Sequence, residues 1–121
     1  MTGSPEIEWR RALGERRFLL QRARASGALF FPPRLIEPRS GDGDWEWVEA
    51  SGLGTVYSVT VINQKPPAEP YNVVLVDLDE GPRMMSRVDG MPAEAVTIGL
   101  RVRARIAADA DGASLVVFEQ A

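Results

Sequence analysis

A chain of 121 residues allows one compact domain with a small appendage, and 45% hydrophobic with 26% charged content excludes wholesale disorder. With neither Cys nor His it has no disulfide, no thiolate nucleophile and no imidazole proton shuttle. The net charge of −3 hides an asymmetry: residues 1–40 carry eight Arg against four acidic residues, and residues 41–121 carry six basic against thirteen acidic ones. A basic N-terminal third on an acidic body meets an anion, an acidic partner or the body itself. No apolar run reaches the roughly 18 residues of a membrane span. The first residues also lack the basic and apolar regions of a secretory leader, so the expected compartment is the cytoplasm.

Ser4-Pro5-Glu6 starts a helix: a capping hydroxyl, a preset φ and acids at the positive dipole end. Ile7, Trp9, Ala12 and Leu13 are its apolar positions and Gly14 its stop. So short a helix must pack on something to persist. Phe18-Leu19-Leu20 and Ala28–Phe31 read as two short strands around the turn Arg24-Ala25-Ser26-Gly27, with Pro32-Pro33 ending the second. After a glycine-rich loop, Trp45–Glu49 alternates as a third strand.

From Gly52 onward β-rich segments follow one another. Thr55–Ile62 is a strand by its β-branched content, Pro66–Pro70 a loop and Tyr71–Leu78 a second strand. The turn Asp79-Glu80-Gly81-Pro82 leads into Arg83–Val88, and Met91–Val96 forms a helical turn before Gly99. Leu100–Ala108 and Ser114–Phe118 close the chain as a hairpin around Asp109–Gly112. Five strands with a helical insertion between the third and fourth predict a mainly β protein, a small closed five-stranded barrel of the OB type. The expected division is an N-terminal helix and arm over residues 1–50 and the OB-fold barrel over 51–121. In Tyr71–Leu78, Val73 and Leu75 point one way while Val74, Val76 and Leu78 point the other, so both faces are apolar. Either the arm or a partner protein covers the outer one.

Within the arm, Ala23, Ser26, Glu37 and Ser40 are spaced x2, x10, x2, the spacing of the two ligand pairs of a zinc ribbon. Around and after them stand Phe31-Pro32-Pro33-Arg34, Trp47-x3-Ser51-Gly52-x-Gly54-Thr55-Val56-Tyr57-Ser58, Leu78–Arg83 and Ile98–Val102. In that order these pieces resemble the acyl-CoA-associated family with an N-terminal rubredoxin-like zinc ribbon plus an OB-fold, over nearly the whole chain. The resemblance implies a non-catalytic subunit that binds a thiolase-like or lipid-transfer-type thiolase enzyme and helps shape its acyl-CoA site. Some members are fused to hydratase-like domains. The departure is that Ala23, Ser26, Glu37 and Ser40 stand where the family's four cysteines would be. One carboxylate and two hydroxyls do not make a tetrahedral zinc site, so no metal and no resident cofactor is expected. The loops would then pack through Phe18, Leu20, Leu29, Phe30, Leu35 and Ile36.

Stand-alone catalysis is hard to build from these residues. Asp79-Glu80-Gly81-Pro82 reads as a polar turn before a carboxylate pair. Gly52-Leu53-Gly54 lacks a third glycine and a following helix, so it serves a bulge or close packing. As ligand contacts for coenzyme A the resemblance points to Arg22, Arg24 and Arg34, with Arg39 nearby, for the phosphates, and to Phe31, beside Phe30 and Pro32, for the pantetheine arm. The plainer reading makes the arginines a solvated or self-docked surface and the aromatics part of a core. Arg101, Arg103 and Arg105 are likewise an anion track or the outer face of a strand. Single-stranded nucleic acid is the alternative partner for an OB barrel, through Tyr57, Tyr71 and Trp45. A pI near 5.0 weighs against it.

Overall fold

In a computed structural model, which describes residues 4–38, 41 and 43–121, the chain forms one helix and two antiparallel sheets. Helix α1 spans Pro5–Gly14 and is capped by the Ser4 hydroxyl, which accepts from the Ile7 amide at 3.3 Å. Trp9, Ala12 and Leu13 turn inward as expected, but Ile7 is 53% exposed. The helix closes with the Arg16 and Arg17 amides on the Leu13 and Ala12 carbonyls, both at 2.9 Å. Arg16, not Gly14, holds the left-handed conformation, with φ +66°. That backbone costs a side-chain-bearing residue roughly 1–2 kcal/mol.

Strands β1 (Leu19–Ala23), β2 (Leu29–Phe30) and β3 (Trp45–Glu49) form the arm, in the order β2-β1-β3. Strands β4 (Leu53–Ile62), β5 (Tyr71–Leu78), β6 (Arg83–Ser86), β7 (Arg101–Ala108) and β8 (Ser114–Gln120) form the second sheet, ordered β6-β5-β4-β7-β8. A short 3-10 turn, Ala93–Ala95, lies between β6 and β7. The expected closed barrel is a curled sheet. Its edges meet at the end of β6, where the Ser86 hydroxyl donates to the Val116 carbonyl at 2.8 Å, and just past it, where Val88 bridges Phe118 in parallel and the Phe118 amide reaches the Arg87 carbonyl at 2.9 Å.

Curling is set where β4 bends. The β4–β5 register slips between Val56 and Ser58, the mark of a bulge. A Cβ on Gly54 would lie 2.6 Å from Val76 Cγ1 and 2.8 Å from the Asp77 carbonyl, so only glycine lets β4 approach β5 here. One hydrophobic core joins Trp9, Leu13, Phe18 and Leu20 of the N-terminal region to Val56, Val74, Val102 and Phe118 of the curled sheet. It runs across the expected boundary at residues 50 and 51.

The outer face of β5 departs from internal cover. Val73 and Leu75 are half-buried, and Tyr71, Val73, Met85 and Leu115 line an open groove of about 420 Å³. Met85 is 68% exposed. The arm therefore leaves this face unsealed.

Candidate functional site

At the ribbon positions the residues do not fit a metal. Ala23 has no donor atom on its side chain and is fully buried, its backbone closing the turn with Ala28 and Gly27 at 2.8 Å each. The Ser26 hydroxyl accepts the Ala28 amide at 3.2 Å on the surface. Glu37 is only 3% exposed and its carbonyl accepts from Gly41 at 2.8 Å. Ser40 and Arg39 lie outside the described residues. Among the described residues no three acidic side chains gather as a metal site, and a buried methyl, a surface hydroxyl and one carboxylate do not supply the four donors of a structural zinc site.

The loop is fastened instead by Gln21. This side chain is 1% exposed in the middle of β1; its Nε2 donates to the Arg34 carbonyl at 2.7 Å and its Oε1 accepts the Arg34 amide at 2.8 Å. Trp45 Nε1 donates to the Leu35 carbonyl at 2.8 Å. Because the loop is held by backbone groups, its apolar side chains turn outward. Leu35 is 72% and Ile36 52% exposed, which corrects the expected packing role of both.

The four expected coenzyme A contacts fall on different sides of the arm. Arg22 and Arg24 leave β1 on the face opposite Gln21 and converge on Glu46, at 2.6 and 3.3 Å; Arg24 also meets Asp44 at 3.0 Å. The hydrogen bond from Arg22, with the charges of Arg22 and Arg24, holds the Glu46 carboxyl below its ordinary range. Arg34 is exposed, and its side chain makes no ion pair among the described residues. Phe31 turns inward, its ring centroid 5.4 Å from that of Trp9. With Phe30, Glu37 and Pro38 it lines a cleft of about 410 Å³ whose far wall is Gly81-Pro82 of the β5–β6 turn. None of the three arginines lines that cleft.

The turn beside the cleft ties arm to barrel. Glu80 Oε2 accepts the Ser51 amide at 2.6 Å, in the linker between β3 and β4. Asp79 takes both terminal nitrogens of Arg101, at 2.7 and 2.9 Å, and this bond holds the Asp79 carboxyl below and the guanidinium above their ordinary ranges. Arg103 and Arg105 pair with Glu119, and Arg105 also with Asp89. Arg83 pairs with Asp77 and lies 3.5 Å over the Tyr57 ring. The outer arginines thus each hold a carboxylate partner, and Tyr57, though 49% exposed, carries a cation over its ring.

Sequence reasoning missed Gln21, Glu80 and Arg16. Gln21 carried one signal, a polar side chain at an inward-alternating position between Leu19 and Ala23. Nothing in the sequence linked Glu80 to Ser51, because that contact spans the arm–barrel joint.

These features define a small OB-type protein whose N-terminal arm lacks the cysteines of a zinc ribbon. Among the described residues no helix is long and apolar enough to cross a membrane. The chain belongs to the family whose profile is described as "ChsH2, C-terminal OB-fold domain", which matches residues 47–107. It is 40% identical over 97 residues to a "Probable enoyl-CoA hydratase alpha subunit" of Thermomonospora curvata, covering 78% of this chain but only 30% of that protein. To a "DUF35 domain-containing scaffold protein" of Methanocaldococcus jannaschii it is 32% identical over 98 residues, 74% of this chain and 70% of the relative. A solved chain of an "Ltp2-ChsH2(DUF35) aldolase" superimposes with a TM-score of 0.83 at 34% identity, covering 98% of this chain and 96% of that one.

Proposed function

We propose that this chain is a non-catalytic accessory subunit of a thiolase-type acyl-CoA enzyme, docking on the enzyme and helping to shape its coenzyme A site. The supporting observation is the match to a chain of the Ltp2–ChsH2(DUF35) aldolase over nearly the full length of both. The composition supports this reading. With no Cys and no His, the chain supplies neither a thiolate nucleophile nor an imidazole base. On this reading residues 1–50 are the arm that reaches toward the ligand and residues 51–121 the barrel that carries it.

Within the complex, Arg34 is the arginine for a coenzyme A phosphate, because Arg22 and Arg24 already share Glu46. Phe31 and its cleft supply an apolar wall. Co-expression with the thiolase-type enzyme of the same genome tests the proposal. The two chains co-elute, and acyl-CoA turnover by the enzyme depends on this subunit. Elution as a lone monomer, with the enzyme's kinetics unchanged by its presence, would refute it. Arg34→Ala raises KM for the acyl-CoA without dissociating the complex, since the loop is held through the Arg34 backbone and not its side chain.

A further inference from the structure

Arg16 occupies a backbone that glycine adopts at no cost. It is the only non-glycine residue with positive φ among the described residues, at the position just after α1 where helices of this closure ordinarily place glycine. A side chain kept there against the preference of its own backbone has a task. One part of that task is visible: Nη1 donates to the Ile106 carbonyl of β7 at 3.1 Å. That bond uses one of the five N–H donors of the guanidinium, and Arg16 joins no ion pair among the described residues. The negative end of α1 favours cations nearby, but a cation at residue 14 or 15 would serve it without strain.

Arg16 lines a cleft of about 360 Å³ between the helix end, the Ser51-Gly52 linker and β7. Arg17 and Arg105 line the same cleft, and Glu49 is the one carboxylate among its lining residues. Glu49 is held by Arg17 at 3.2 Å. The partners of Arg105, Asp89 and Glu119 at 3.2 and 3.3 Å, lie outside the lining. Arg16, Arg17 and Arg105 therefore share with one carboxylate a cleft on an otherwise acidic barrel, and of the three Arg16 alone joins no ion pair among the described residues.

We propose that this cleft binds an oxyanion of the phosphate class, either free phosphate or a phosphate or diphosphate group carried on a small molecule. Arg16 supplies the planar fork that matches two oxygens of such a group, and Arg17 and Arg105 supply the surrounding positive field. The site is separate from the Phe31 cleft and does not depend on the accessory-subunit reading.

Amide chemical shifts of the full chain, titrated with inorganic phosphate and with pyrophosphate at constant ionic strength, test it. Saturable shifts are expected at Arg16, Ser51 and Gly52. Arg16→Gly relieves the strained backbone, so it folds, and it weakens binding by about tenfold or more, the scale of one lost charge-assisted fork. Arg105→Gln weakens it by about threefold, as one field charge less. Tighter binding of pyrophosphate assigns a carried diphosphate, and equal binding a single phosphate group. Absence of saturable shifts with both anions, or equal affinity in Arg16→Gly and the unaltered chain, overturns the proposal.

Discussion

The curled sheet closes around Val56, Val74, Val76, Val102 and Phe118, each exposed by 1% or less, whereas the arm's loop is joined to its strands by the Gln21 amide and the Trp45 indole. In the curled sheet, position follows from shape. Gly54 sets the approach of β4 to β5, and the bulge at Val56/Ser58 sets the bend. In the arm, position follows from a few directed bonds to backbone groups. The contrast shows how a ribbon-like arm keeps its shape where four metal ligands would otherwise stand. One buried amide cross-links two segments because it donates and accepts at once, which an apolar side chain does not do.

Phe118→Ala should break the comparison most severely. The ring is fully buried and touches the core that both regions share, so its loss costs about 4 kcal/mol. Chemical denaturation followed by amide exchange checks it. The arm and the curled sheet should lose protection together, and arm amides that stay protected would make residues 1–50 an independent unit. Gln21→Leu acts locally. It keeps the side-chain bulk and strands the Arg34 amide and carbonyl, costing about 2 kcal/mol in the arm. Exchange should quicken at Arg34 and its loop while Val74 and Val76 stay protected. A chelator should change neither pattern, and elemental analysis should find no stoichiometric zinc.

A smaller effect isolates the joint between the regions. Arg16→Gly and Arg16→Ala both delete the bond to Ile106, but only glycine relieves the φ of +66°. The glycine variant should be the more stable of the two by about 1 kcal/mol in thermal unfolding. Equal stability would mean that the left-handed backbone carries no cost at this position.

Elements that announce themselves by local pattern were legible in the sequence. Ser4-Pro5 marks α1, and Trp45–Glu49, by its alternation, and Tyr71–Leu78, by its apolar run between turns, are strands with the expected bounds. Gly54 was legible as a packing glycine. Contacts between distant segments were not. Leu35 and Ile36 look like core residues by composition, yet the loop is anchored by its own backbone and sends them to solvent. Arg22, Arg24 and Arg34 look equivalent in the sequence, and strand alternation with the acids of β3 makes the first two structural partners of Glu46, while the third joins no ion pair among the described residues. The site is therefore less readable than the fold, because its residues are distinguished by what lies opposite them in another strand.

Acid offers the gentlest separation of the two regions. Glu46 in the arm and Asp79 in the barrel turn are both held below their ordinary carboxyl range, chiefly by the hydrogen bonds from Arg22 and Arg101. A folded-state value below the unfolded one means that the unfolded chain binds protons first as pH falls. Each pair thus contributes stability above the unfolded carboxyl value, near about pH 4, and loses it as pH drops through the lower folded value. Both carboxylates are solvent-accessible, so each effect is small and salt screens it. Circular dichroism during acid titration should place the unfolding midpoint of Arg101→Gln above that of the unaltered chain, with the difference shrinking in high salt. Arg22→Gln should raise the midpoint less, because Arg24 still reaches Glu46 at 3.3 Å. The reverse order would mean that Arg24, and not Arg22, carries the arm's charge pairing.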